Sequence, residues 1–368
     1  MDKRRREMIE LPVEVLADIL SRLPVKSLMC LKSVCRSWRS LVGDPHFVAE
    51  YLARSGSNRF LLANYYSDLH GQYLISLLSC ETLEVIGRVE IPHPIRSGYF
   101  RVVGSINGIV CLVSDLPGYR VSLLNPATRE SRLLADPSIP LEVPRTSVYR
   151  GVYYGFGYHR GIDDYKLVRI IATIDSGSKL HYGYRAKVFS LKDGLWKEIP
   201  APNCDIVYKL DGTVAEGVVH WIACGGRHEG SEVVLSFDLG NDKFERQCLP
   251  DLGEDDGDCK RLTVFEESLR LVVYSRLRGD RCLVIWVRNS RASQDVWTRL
   301  ARIEPTFGTH RPVGWGARGE FLMENNYGKL VVYEVNNQNI QNKRVDAEKI
   351  PCYFDFHPYV ESVVPLTR

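Results

Sequence analysis

A repeat of about fifty residues constrains this chain more than any other feature. Six times, a run of alternating apolar residues is followed by a polar turn and by a second run that ends near a proline. The steps between equivalent residues of successive copies are 46, 66, 47, 50 and 47. Periods of this size are typical of propeller blades, which are small sheets that bury their faces only by stacking on neighbours. The equivalent residues are Ser76, Ser122, Val188, Leu235, Ile285 and Val332.

Further strand patterns precede most of the copies. Before the second copy, two apolar runs are joined by Asn107-Gly108, a dipeptide typical of a two-residue hairpin turn. Similar pairs of runs precede the fourth, fifth and sixth copies, which gives four strands per unit. We therefore expect an all-β, six-bladed propeller-like domain.

The first copy lacks a candidate for its innermost strand. Only one run, at 59–66, precedes it, whereas the C-terminal run PYVESVVPL has no hairpin partner. If a strand at 359–366 pairs beside the run at 59–66, the first blade is completed and the ring has no open edge. We therefore expect the C-terminal strand to close the propeller.

The composition is that of an ordinary soluble globular protein, with 45% apolar and 25% charged residues. The net charge of +3 is spread over both signs, so nucleic-acid binding is not expected. No apolar run is long enough to span a membrane, and the N-terminus resembles neither a signal peptide nor a myristoylation site, so we expect a cytoplasmic or nuclear protein. Ten cysteines without metal-ligand spacing predict reduced thiols, no metal and no cofactor.

The N-terminal segment follows a helical period instead. Pro12 and Pro24 bracket an amphipathic helix, and a second helical stretch at 25–42 is followed by a shorter one. About forty residues of helix bury too little apolar surface to be stable alone, so a partner or docking onto the propeller is expected. The apolar stripe of the first helix consists of Leu16, Ile19, Leu20 and Leu23.

Residues 11–52, LPVEVLADILSRLPVKSLMCLKSVCRSWRSLVGDPHFVAEYL, closely resemble an F-box. The remainder resembles the F-box-associated domain of plant F-box proteins, including the immune-regulating and S-locus types. That match is carried by LLNPATRE, YGFGYHRGIDDYKLVRI, VFSLKDGLWKEI, VVHWIA and YVESVVPL. We predict a flexible basic N-terminus at 1–8, an F-box at 9–53 and a propeller-like domain at 54–368.

The resemblance implies a substrate receptor of a Skp–cullin–F-box ubiquitin ligase. The F-box would bind a Skp-type adaptor and, through it, a cullin, while the propeller-like domain would hold the protein to be ubiquitinated. Some F-box residues, such as Leu16 and Leu31, pack the helices together instead. The adaptor contacts implied by the resemblance are Leu11, Pro12, Ile19, Leu20, Leu23, Pro24, Leu28, Val34, Cys35 and Trp38.

Motifs for other chemistry are weak. GWGARG at 314–319 matches a dinucleotide fingerprint but lies between two strand patterns, so we interpret it as a blade turn. The acidic stretch at 254–258 lacks the spacing of a calcium loop. We expect no catalytic residues; a scaffold outside any ligase and a propeller enzyme remain the alternatives. The blades lack the double glycine of kelch repeats and the Trp-Asp ending of WD repeats.

The sequence also predicts which face of the ring holds the target. One face is joined by tight turns, and the other carries longer connections, where recognition residues usually occur. These connections are predicted at 64–72, 137–151, 174–184, 224–232 and 275–281. The residue types enriched in interface hot spots that they carry are Tyr65, Tyr66, Tyr149, Arg150, Tyr182, Arg227, Arg276 and Arg278.

Overall fold

The computed structural model shows four short helices followed by a ring of six sheets around a channel. The residues that it describes are 11–55, 59–67, 70–92, 95, 99–114, 120–136, 147–175, 182–207, 211–225, 231–257, 259–274, 282–289, 296–303, 311–316, 319–325, 330–335, 339–341 and 355–366.

The helical segment contains one helix more than the sequence pattern predicts. Its helices are α1 (Val13–Ser21), α2 (Val25–Leu31), α3 (Arg36–Val42) and α4 (Pro45–Ser55). The stretch predicted as one helix at 25–42 divides because Cys35 adopts an extended conformation, with φ of −151° and ψ of 164°. The side chain of Asp44 accepts the backbone N–H groups of His46 and Phe47 at 2.8 and 3.3 Å, which caps the start of α4.

Each blade is an antiparallel sheet, and the predicted six-bladed ring is confirmed. Blade 1 contains β1 (Arg59–Ser67), β2 (Gln72–Ser79), β3 (Val85–Val89) and β25 (Asp355–Val360). Blade 2 contains β4 (Phe100–Ile106), β5 (Ile109–Ser114), β6 (Arg120–Asn125) and β7 (Glu130–Leu134). Blade 3 contains β8 (Ser147–His159), β9 (Asp164–Asp175), β10 (Tyr182–Ser190) and β11 (Leu195–Ile199). Blade 4 contains β12 (Cys204–Ile206), β13 (Thr213–Ala215), β14 (Val218–Gly225), β15 (Glu232–Asp238) and β16 (Lys243–Cys248). Blade 5 contains β17 (Cys259–Phe265), β18 (Ser268–Tyr274), β19 (Leu283–Asn289) and β20 (Val296–Ile303). Blade 6 contains β21 (Arg311–Trp315), β22 (Glu320–Glu324), β23 (Leu330–Glu334) and β24 (Asn339–Gln341).

The C-terminal strand closes the ring, but its predicted bounds were wrong. The strand is β25 at Asp355–Val360 rather than 359–366, and it pairs with β1 so that Pro358 lies opposite Leu61. Because β25 is the innermost strand and has a free edge, a proline without an N–H is tolerated there. The inner strands β25, β4, β8, β13, β17 and β21 contact one another in turn around the channel.

Residues 361–366, which we call the C-terminal tail, leave blade 1 and cross to blade 2. The side chain of Asn125 donates hydrogen bonds to the carbonyl oxygens of Ser362 and Val364, at 3.1 and 2.9 Å. The backbone of Leu366 donates to the Glu130 carboxylate at 3.1 Å. Val363, Val364 and Leu366 are at most 2% exposed, so these side chains of the tail belong to the core.

The helical segment packs against one face of the ring. We call this the turn face, because the tight turns between first and second strands, such as Asn107-Gly108, lie there. Tyr51 of α4 belongs to the same buried apolar cluster as Ile109 and Leu191, next to turns of blades 2 and 3, and as Val364 of the C-terminal tail. The opposite face, which we call the loop face, carries the connections between blades.

Candidate binding surfaces

The first helix exposes an apolar stripe that the propeller does not cover. Val15 and Ile19 are 45% and 46% exposed, and their spacing of four residues places them on one side of α1, while Leu11, just ahead of the helix, is 52% exposed. The other side carries Leu16 and Leu20, which pack into the helical core. Sequence reasoning missed Val15 because apolar residues occupy both sides of this helix, so periodicity alone does not separate core from surface.

A second exposed apolar group lies at the start of α3. Val34 is 65% exposed, and Cys35 beside it is also exposed. The Cys35 Sγ lies 3.1 Å from the Ser37 hydroxyl oxygen. Hydrogen bonds from that hydroxyl and from the Trp38 backbone N–H lower the pKa of the Cys35 thiol. These residues add to an uncovered apolar surface on the helical segment.

Two residues implied as adaptor contacts lie in the core instead. Leu20 is 3% exposed and Leu28 is fully buried, because both pack among the four helices. The remaining eight positions have side chains that are at least partly exposed. The exposed ones are Leu11, Pro12, Ile19, Pro24, Val34 and Cys35, and the half-buried ones are Leu23 and Trp38.

A network of charges joins the first and last helices. The Asp18 carboxylate accepts from Arg54 at 2.6 Å and from Arg22 at 3.0 Å, and Arg54 also pairs with Glu50 at 2.7 Å. The hydrogen bond from Arg54 holds the pKa of Asp18 below its usual range. These contacts fix α1 against α4 and therefore fix the direction in which the exposed stripe points.

The channel contains a cavity of about 620 Å³ whose wall includes residues from all six blades, and the charged residues of that wall lie toward the loop face. Arg101 pairs with both carboxylate oxygens of Asp211, at 2.7 and 3.3 Å. The Asp355 carboxylate lies 3.3 Å from Arg311 and 3.6 Å from Arg261. Burial acts to raise the pKa of Asp355, but these two arginines outweigh it and hold the pKa below its usual value.

Sequence reasoning did not find these channel charges. The inner strands read mostly as valine, glycine, serine and threonine, and the charged residues stand at or near their first positions. Only the closed ring brings strand starts that are far apart in sequence to one mouth.

Aromatic rings line the rim of the same cavity. Tyr73 lies edge-on to Tyr66 and to Tyr99, with ring centroids 5.1 and 4.9 Å apart. Tyr66 and Tyr99 are 41% and 46% exposed, although large apolar side chains are usually buried. Tyrosines in such positions are common anchors in protein interfaces.

The residues predicted to bind the target lie in different settings. Tyr66 is on the rim. Tyr65 was predicted in a loop, but β1 extends to Ser67, and Tyr65 is therefore only 3% exposed, with its hydroxyl 3.0 Å from the Ser76 hydroxyl. Tyr149 and Arg150 are in β8 and Tyr182 is in β10, where the structure describes the backbone. Arg227, Arg276 and Arg278 lie outside the described residues.

The structure also describes parts of the motifs considered in the sequence. Gly316 and Gly319 lie between antiparallel β21 and β22, so GWGARG is a blade turn. In the acidic stretch, Asp255 pairs with Arg299 and Arg302 at 3.0 and 2.6 Å. Within the described ranges, the cysteines are thiols rather than disulfides, and no cluster of His, Cys, Asp or Glu is placed to hold a metal. None of the helices found there is long and apolar enough to cross a membrane.

Comparison with known proteins gives matches along nearly the whole chain. A family profile described as F-box-like matches residues 8–50, and one described as F-box associated beta propeller domain matches residues 77–365. F-box protein CPR1 of Arabidopsis thaliana is 28% identical over 97% of this chain and 89% of its own length. An F-box/kelch-repeat protein of the same plant is 26% identical over 92% of each chain.

Solved structures are more distant. An oligogalacturonate lyase from Vibrio parahaemolyticus is 14% identical over 78% of this chain and 74% of its own, with a TM-score of 0.42, and no functional argument follows at that distance. The family profiles extend over both the helical segment and the ring of blades. The chain therefore belongs to the F-box associated β-propeller family and carries an F-box-like segment ahead of its propeller.

Proposed function

We propose that this chain is the substrate-recognition subunit of a Skp–cullin–F-box ubiquitin ligase. Its F-box binds a Skp-type adaptor, which links it to a cullin, and its propeller holds the protein to be ubiquitinated and degraded. The chain itself is a receptor in this proposal, and the ubiquitin transfer is carried out by other subunits. It acts in the cytoplasm or the nucleus.

The concentration of exposed apolar side chains on the helices carries this proposal. Of twelve large apolar residues that are exposed in the described parts of the chain, five belong to residues 11–34. The other seven are spread over the blades, mostly on outer strands. A concentration of exposed apolar side chains on a small helical segment is typical of a protein-binding surface.

The loop face is the proposed side for the target. The turn face of blades 2 and 3 is in contact with the helical segment and the C-terminal tail. The loop face offers the cavity and the exposed rim tyrosines. A target held there lies on the side of the ring opposite the F-box.

Our first prediction concerns the adaptor. Val15→Glu places a charge in the middle of the exposed stripe, and burying an unpaired carboxylate against an apolar partner should weaken adaptor binding at least tenfold. The measurement is titration of the purified chain with a Skp-type adaptor. Leu195→Glu is the matched control, because Leu195 is 70% exposed on the outer strand of blade 3.

Two outcomes would count against the proposal. Equal binding by the Val15→Glu variant and the wild-type chain, with both melting at the same temperature, would show that the adaptor does not use α1. An adaptor complex that fails to recruit cullin in size-exclusion chromatography would favour a scaffold outside a ligase.

A further inference from the structure

The wall of the channel cavity contains polar atoms that no part of the described protein satisfies. Asn64 is only 7% exposed, and its Oδ1 has no hydrogen-bond partner among the described residues. The Nε2 of His357 and the Oγ of Ser105 are likewise buried and without a partner there. All three residues line the cavity. Since buried polar side chains nearly always have a partner, three such atoms around one cavity call for an explanation.

Two of these groups lie close together. Asn64 is directly opposite Asp355 in the pairing of β1 with β25, and His357 follows Asp355 by two residues. Side chains at directly paired positions, and at positions two apart on a strand, point to the same side of a sheet. Asn64 and His357 therefore share one side of blade 1 with the Asp355 carboxylate.

The part of the wall that the structure describes contains no unpaired charge that could bind an ion. Its cations are Arg101 and Arg261, its anions are Asp211 and Asp355, and each is paired with an opposite charge. His357 adds no charge at neutral pH, because burial lowers its pKa to about 4. A charged ligand would have to break one of these pairs or remain unpaired in a buried site.

Apolar and aromatic side chains make up much of the rest of the wall, together with Thr213, His220 and Thr263. The cavity volume of about 620 Å³ falls in the ordinary range for small-molecule sites. Such sites combine apolar walls with a few polar groups that orient the ligand. Aromatic residues of five of the six blades line it: Tyr73, Tyr99, Phe156, Trp221 and Trp315.

We propose that the channel is a binding site for an uncharged small molecule that carries an amide or hydroxyl group on an aromatic or apolar body. Its N–H or O–H donates to the Asn64 Oδ1, and its body packs against the rings of the wall. The site belongs to the propeller alone, so the inference does not depend on the adaptor or on the proposed ligase.

The test uses four aromatic probes of similar size on the full-length chain. Benzamide and benzyl alcohol are uncharged, whereas benzoate and benzylammonium carry opposite charges. Ligand-observed saturation-transfer NMR should give dissociation constants on the order of 1 mM for the uncharged pair, because ligands with so few atoms bind weakly. Both charged probes should bind at least ten times more weakly.

Three variants locate the binding. Asn64→Leu should weaken the binding of benzamide, because it removes the acceptor for the amide N–H, and Asn64→Asp should transfer the preference from the uncharged probes to benzylammonium. Gly314→Phe should block all probes, because Gly314 lines the cavity and a Cβ there would have its nearest neighbour at 3.9 Å, which leaves room for a ring to enter. Thermal melting confirms that each variant is folded, and the Asn64→Asp result stands if Asn64→Leu fails to fold.

Several results would overturn the inference. Benzoate or benzylammonium binding to the wild-type chain as well as benzamide would show that charge is not excluded. Benzamide binding that persists in a folded Gly314→Phe variant would place the probe elsewhere. The absence of saturable binding by both uncharged probes to the folded wild-type chain would show that the cavity is not a site of this kind.

Discussion

Asn125 joins two parts of the chain that are far apart in sequence. Its side chain is fully buried, its two N–H groups bond to carbonyl oxygens of the C-terminal tail, and its Oδ1 accepts the backbone N–H of Ala127 at 3.1 Å. The neighbouring turn is similarly constrained: Gly108 has φ of +80°, and an added Cβ would lie 2.2 Å from the Ser362 hydroxyl. These two residues therefore specify where the tail lies.

The buried His357 should make the stability of the protein depend on pH. Burial lowers its pKa to about 4, an effect that Asp355 opposes and Arg261 reinforces. Between that value and the unfolded value near 6.5, the unfolded chain binds more protons than the folded one, so stability falls as the pH falls. The loss amounts to as much as about 1.4 kcal/mol per pH unit.

A His357→Leu variant should lose this part of the pH dependence. We expect the wild-type melting temperature to fall more steeply than that of the variant between pH 6.5 and 4.5, as measured by calorimetry. The other titrating groups are common to both proteins, and Asp355, whose pKa His357 also lowers, has its usual pKa below this range. If the melting temperatures of the two proteins fall in parallel with pH, His357 is protonated as easily in the folded chain as in the unfolded one.

Among the elements, β25 contributes most to the integrity of the ring. It carries Phe356 and Tyr359, which are 6% and 2% exposed, into the interfaces with the neighbouring blades. Without it, the edge of β1 and the apolar sides of two blades become accessible to other chains.

A chain ending at residue 354 should therefore aggregate. Size-exclusion chromatography with light scattering should show species larger than the monomer, whereas a chain ending at residue 360, which keeps β25, should not form them. If the shorter chain remains a monomer with the wild-type melting temperature, β25 does not close the ring.

Much of this arrangement is predictable from sequence because it depends on local patterns. The blade period, the turn at Asn107-Gly108 and the need for a closing strand are all expressed in neighbouring residues. The end of β25 and the position of the tail are not, since they are determined by distant partners such as Asn125. The channel site cannot be predicted from the sequence for the same reason: Asn64 and His357 become neighbours only through the pairing of β1 with β25.

In the whole molecule, the C-terminal tail connects the F-box to the propeller. Val363, Val364 and Leu366 lie in one apolar cluster with Tyr51 of α4 and with Ile109 of blade 2. Burying an aliphatic side chain of this size contributes about 1.5 to 3 kcal/mol, so the three together contribute several kcal/mol to a cluster that the helices and the propeller share. The F-box and propeller should consequently unfold together.

Removing the tail alone should uncouple the unfolding of the F-box from that of the propeller. For a chain ending at residue 360, we predict a first thermal transition in which the helices unfold and a later one for the propeller, with faster hydrogen exchange in α4. Calorimetry and exchange mass spectrometry test this. A single transition at the wild-type temperature would show that the helices dock without the tail.

Ring closure through β25 also has a consequence for folding during synthesis. Arg59 pairs with Val360, so blade 1 cannot be completed until the ribosome has made roughly three hundred further residues. Contacts of such long range slow folding, and the F-box helices wait equally long for the tail that covers their inner side. A nascent chain of this protein therefore exposes both its first blade and its F-box core until translation is nearly finished, and any chain released early is a substrate for chaperones or proteases.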